Sequence, residues 1–104
     1  MKKYTLYILL FISNLSFAAY TMDGVMDDNS NGTYTINVVS NSGHSYLGMG
    51  EMQGDGSLTV NLAIQGGGVE IYLGTATPNQ DGTYTLHLKN NATDQPATGT
   101  LEVH

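Results

Sequence analysis

The residues best suited to chemistry stand together at Asp27-Asp28-Asn29-Ser30-Asn31-Gly32. Asp27, Asn29 and Asn31 alternate side-chain oxygens ahead of Gly32, as at the start of a calcium loop. There, alternate ligands converge on one hard cation and the glycine permits the sharp turn. The twelfth position is Val38, where such a loop places a bidentate Glu, and no helical pattern flanks it. Asp27, Asn29 and Asn31 are therefore a candidate cation turn, set against the simpler reading of a polar hairpin turn. Met22, Met26, Met49 and Met52, with His44, offer the soft donors that Cu(I) takes. Met22 and Met26 share a strand face, but Met49 and Met52 have opposite parity, and methionine is also a common core filler.

Other chemistry finds little footing. There is no cysteine, which removes thiol nucleophiles and zinc–thiolate sites. His44, His87 and His104 are scattered, and nothing sets a base, a nucleophile and an orienting acid together. Glu51, Glu70 and Glu102 are single acids in strand patterns, whereas carboxylate-pair chemistry needs two at a set separation. Gly66-Gly67-Gly68 leads into the strand-like Val69-Glu70-Ile71-Tyr72-Leu73, not into the helix that a phosphate cradle opens. The sequence predicts neither an enzyme nor a bound cofactor.

What must position these residues is a repeat. Asn31-Gly32-Thr33-Tyr34-Thr35-Ile36 returns as Asp55-Gly56-Ser57-Leu58-Thr59-Val60 and as Asp81-Gly82-Thr83-Tyr84-Thr85-Leu86. Each copy is a turn pair followed by polar/apolar alternation, a strong hairpin signal. A second glycine precedes each turn glycine by eight residues: Gly24 before Gly32, Gly48 before Gly56, Gly74 before Gly82. Gly99 opens a half-repeat, and the early glycines are spaced 24, 26 and 25 residues apart. A fixed period marks a repeated supersecondary unit. The expected fold is an all-β antiparallel meander of seven strands, three and a half hairpin repeats of about 25 residues, closing as a small barrel or sandwich. Tyr34, Ile36, Val38, Leu58, Val60, Leu62, Ile64, Tyr84, Leu86 and Leu88 form the core face of the second strands; Thr35, Asn37, Thr59, Asn61, Thr85 and His87 lie on the wet face. Gly24, Gly48 and Gly74 read as slots for neighbouring tyrosine rings. The first strand is expected over Tyr20–Met26, and a polar stretch links each unit to the next.

Residues 1–18 read as a cleaved signal peptide: Lys2 and Lys3, a short apolar run, then Ser16-Phe17-Ala18. That run is too short to span a bilayer, so no stable membrane insertion is expected after cleavage. The single domain is then 19–104, secreted or periplasmic, with a leader of bacterial type. It carries Lys89 against all nine acidic residues, one positive charge against nine negative, a formal charge of −8. Such a surface repels nucleic acid and attracts cationic partners. Three functions fit. The first is a non-catalytic structural or self-assembling protein of the cell surface or periplasm, associating with itself through β-edge pairing. The second is a monomeric acidic binding module or inhibitor of a cationic protein. The third is a calcium or copper carrier.

Overall fold

A computed structural model describes residues 20–104. The leader read over 1–18 lies outside the described residues. Seven strands follow one another: β1 Met22–Asp28, β2 Thr33–Ser40, β3 Ser45–Met52, β4 Leu58–Ile64, β5 Ile71–Pro78, β6 Tyr84–Asn90 and β7 Pro96–Val103. Each pairs antiparallel with the next, and β7 returns to β1 to close a barrel. An up-and-down meander of odd strand number brings its first and last strands together in the same direction, so this last pairing is parallel, Gly24 with Leu101 and Met26 with Val103. The first strand starts at Met22 and runs to Asp28, two residues later than the alternation predicts; Tyr20 and Thr21 meet β7 through the Tyr20 carbonyl, which accepts from the Thr98 amide, and the isolated Thr21–Thr98 bridge.

Most of the predicted core face is the barrel interior. Ile36, Val38, Leu58, Val60, Leu62, Leu86 and Leu88 are buried from the even strands, joined by Met22, Met26, Tyr46, Tyr72, Ala76, Ala97 and Leu101 from the odd ones, while Tyr34, Ile64 and Tyr84, at the strand ends, are half-buried against them. Asn37, Asn61 and His87 face outward on the even strands, on the predicted wet face.

The early glycines do something other than receive rings. At Gly48 a Cβ would lie 1.8 Å from the carbonyl oxygen of Asn61; at Gly24 and Gly74 it would lie 1.9 Å from the carbonyls of Asn37 and His87. These are backbone contacts that no rotamer change relieves, and they mark where the sheet folds sharply onto its neighbour. A Cβ added at Gly99 would lie 1.6 Å from the carbonyl oxygen of Met22. The half-repeat therefore uses β1 as each odd strand uses the strand after it, which is why β7 closes on β1. Asp23 completes that seam: its carboxylate accepts from the Thr100 amide at 2.9 Å.

Candidate functional site

The barrel has two ends. One carries the repeat turns, at 29–32, 53–57 and 79–83; the other carries Tyr20 and the connections 41–44, 65–70 and 91–95.

At the turn end, Gly32, Gly56 and Gly82 hold φ of +89°, +90° and +91°, the left-handed conformation that glycine adopts without steric cost. In the second and third turns Gly56 and Gly82 donate back to the carbonyls of Gln53 and Asn79, closing a four-residue turn that ends in the glycine. The residue before each glycine fastens the next strand. Asn31 Oδ1 accepts from the Thr33 amide and hydroxyl at 3.1 and 2.6 Å, Asp55 from Ser57 at 3.0 and 2.6 Å, and Asp81 from Thr83 at 3.1 and 2.7 Å. These bonds, from the Ser57 and Thr83 hydroxyls first and their amides second, hold the Asp55 and Asp81 carboxyls below the usual range. Asn29 clamps Thr33 and Thr35 as Asn79 clamps Thr83 and Thr85.

That places the predicted cation ligands. Asn29 and Asn31 spend their side-chain oxygens on turn closure, in the same bonds that Asn79 and Asp81 make in the third turn. Asp27 stands on the outside of β1, 3.5 Å from His104 Nδ1. Among the described residues no group of three or more His, Asp or Glu side chains is arranged to hold a metal. The methionines are not brought together either: Met22 and Met26 are buried in the core, while Met49 and Met52 are exposed on β3, and His44 lies at the opposite end.

The other end is built differently. Tyr20, His44, Glu70 and Gln95 each stand four residues before an early glycine, so the repeat sets them around one mouth. Two residues nearer each glycine stand Met22, Tyr46, Tyr72 and Ala97, which floor it. Tyr46 is 1% and Tyr72 2% exposed. The Tyr46 ring meets Tyr72 edge-on at 5.4 Å and 84°, and Tyr20 stacks on Tyr72 at 5.9 Å and 15°. Such pairs add about 0.5–1.5 kcal/mol each beyond burial.

A chain of hydroxyls crosses this mouth. His44 Nδ1 lies 3.1 Å from Ser42 Oγ, which lies 2.9 Å from Ser40 Oγ and 3.4 Å from the Tyr20 hydroxyl. Tyr20 is 3.3 Å from the Tyr46 hydroxyl, and Tyr46 donates to Glu70 Oε1 at 2.8 Å. Tyr46 has one proton and gives it to Glu70, so in the longer contact Tyr20 is the donor. Burial first, then these hydrogen bonds, pushes the Tyr46 phenol far above its ordinary value; burial likewise raises Tyr72. Two polar residues at matching repeat positions are buried here. Ser40 Oγ accepts from the His44 amide and Asn90 Oδ1 from the amides of Ala92 and Thr93, each fixing the loop it opens.

Between Tyr20, Glu70, Tyr72, Asn90, Thr93 and Gln95 lies an open cup of about 550 Å³. A second, smaller but more enclosed groove of about 390 Å³ runs along the outer wall between Met49, Glu51, Thr59 and Leu73. The cup is the better candidate, because its carboxylate and rings are held by bonds to buried groups while the groove walls are exposed strand side chains. Gly66, Gly67 and Gly68, at φ of +94°, +149° and +90°, carry the chain to its rim.

Sequence reasoning treated Glu70 as a lone acid and Tyr20 as a strand residue. The usable signal was the register of the early glycines, which puts both at the same repeat position. Fold and cup together define a small closed β barrel with a polar–aromatic mouth at one end. Comparison with known protein families, curated proteins and solved structures returns no match to the chain.

Proposed function

We propose that the protein is a small exported, non-catalytic binding module that engages a cationic protein. The observation that carries this reading is closure. Every strand has two hydrogen-bonded neighbours, so the barrel offers no open edge for the strand addition that a self-assembling subunit would use. What it offers instead is an acidic surface, with Lys89 alone against nine carboxylates over residues 19–104. Charge of one sign steers an opposite partner and raises its rate of encounter.

A second reading, assembly by strand exchange, is favoured by the seam being the one parallel pairing, with three register pairs from Gly24 to Met26 and a separate bridge at Thr21–Thr98, against six or seven pairs at each antiparallel neighbour. Light scattering on a size-exclusion column separates the two. Purified residues 19–104 are expected to elute as a monomer at every concentration, and to bind purified basic proteins but not acidic ones at low salt. Raised salt should weaken that binding steeply. Large, concentration-dependent assemblies with intact β circular dichroism would overturn the proposal in favour of strand exchange.

A further inference from the structure

We infer that the cup is the contact site for that partner, and that it takes an arginine side chain, the guanidinium lying between the Tyr20–Tyr72 ring pair and the Glu70 carboxylate. The inference rests on the cationic-partner reading and adds the residues and the chemistry.

Three observations point to guanidinium. First, the cup holds a carboxylate that is already oriented. Glu70 Oε1 is fixed by the hydroxyl of a buried tyrosine at 2.8 Å, which limits the side-chain freedom lost on binding. Second, the cup presents aromatic surface beside that charge, the ring of Tyr20, held in place by stacking on the buried Tyr72 at 5.9 Å. A planar, weakly hydrated guanidinium stacks on a ring while donating to a carboxylate; a lysine ammonium is a compact, strongly hydrated charge that gains less from such a floor. Third, the lining supplies further acceptors for the remaining guanidinium protons in Thr93 and Gln95, and no cation competes within it. Lys89, the one lysine of residues 19–104, stands on the outer wall opposite Leu73 and Pro96. Its volume of about 550 Å³ admits a whole arginine side chain.

A simpler role for Glu70 is to satisfy the buried Tyr46 hydroxyl and nothing more. Glu70→Gln separates the two, since the amide oxygen still accepts from Tyr46 while the charge is gone. The probes are N-acetyl-arginine methylamide and its neutral isostere, N-acetyl-citrulline methylamide, titrated into residues 19–104 and followed by amide NMR shifts. Arginine is expected to shift the amides of Tyr20, Glu70, Tyr72 and Gln95 with millimolar affinity, citrulline at least tenfold more weakly. Glu70→Gln is expected to keep its circular dichroism and lose arginine binding at least tenfold. Equal shifts from both probes, or arginine shifts confined to the turn end, would overturn the inference without any variant. A Glu70→Gln protein that binds arginine as the parent does would overturn it too. The two proposals fail separately. Basic proteins that bind parent and Glu70→Gln alike would leave the cationic-partner reading standing and remove the cup. Arginine held in the cup with no basic protein bound would do the reverse.

Discussion

The two ends of the barrel are made from one repeat and have come out unlike. At the turn end three copies of the same device close three hairpins: a left-handed glycine, and an Asn or Asp that accepts from the Thr or Ser two residues on. Its side-chain oxygens are spent internally. At the mouth, the four matching positions hold a tyrosine, a histidine, a glutamate and a glutamine, and the three connections differ in length and hydrogen bonding. Hairpin geometry constrains the first end, because only a few residue types tolerate φ near +90° or close an Asx turn. The mouth connections carry left-handed residues too, Gly43, Gly66 to Gly68 and Asp94, but they differ in length, and the rim positions beside them hold side chains of different chemistry on a scaffold fixed by its strands. A repeat that stays uniform where it closes and varies where it opens is the asymmetry on which the proposed binding role of the cup rests.

The wall is what both ends share, so the largest effect should come from breaking it. Gly48→Ala sets a Cβ 1.8 Å from the Asn61 carbonyl, backbone against backbone. It is expected to cost about 3 kcal/mol or to prevent folding, read from urea denaturation, with amide exchange rising at both ends together. Gly50, two residues on, would meet only the tips of Ile36 and Leu58 at 3.1 Å, and Gly50→Ala should cost about 1 kcal/mol. Equal losses at the two positions would remove Gly48 as a corner.

Tyr46→Phe touches the mouth alone. It leaves Glu70 and Tyr20 without the hydroxyl between them and should cost about 1–2 kcal/mol, with exchange rising in 41–44 and 65–70 and not in the turns. It also tests the alkaline limb. The folded-state phenol of Tyr46 lies above its unfolded value, so its contribution is fully present below about pH 10 and is lost as pH rises from there toward the folded value. Stability should fall on that limb in the parent and fall less in Tyr46→Phe. Gly82→Ala acts at the other end, forcing a side chain to φ +91° at a cost of about 1–2 kcal/mol and leaving the alkaline limb as it was.

Much of the wall was legible in the sequence because its signals are local. Asn-Gly and Asp-Gly pairs sit beside the alternation they serve, and the even-strand core face is the buried face. Closure was legible only in part. The half-repeat at Gly99 is visible, but that its neighbour is β1 follows from a contact with Met22, far away along the chain. The early glycines look like ring slots in the sequence, because one sequence cannot show that a carbonyl of the next strand comes within 2 Å of where a Cβ would be. The cup was least legible. Tyr20, Tyr46 and Glu70 are each unremarkable in their own segment, and their meeting depends on barrel closure bringing units one, two and three to one mouth. Conversely, Asp27, Asn29 and Asn31 look like ligands because turn closure and cation binding ask for the same short oxygen-bearing side chains.

The smallest expected effect belongs to the turn end and has the opposite pH sign. Asp55 and Asp81 have carboxyls held below their unfolded values by bonds from Ser57 and Thr83. Their contribution is present above about pH 4 and is lost as pH falls through the lowered folded values. Both are exposed at the surface, so water screens most of that interaction and the acid limb should be shallow. Asp55→Asn and Asp81→Asn together keep an acceptor for each hydroxyl, as Asn31 does in the first turn, and remove the titration. The double variant should therefore match the parent near neutral pH, flatten the acid limb, and leave the alkaline limb governed by Tyr46 intact. An acid limb unchanged in the double variant would remove Asp55 and Asp81 as its source.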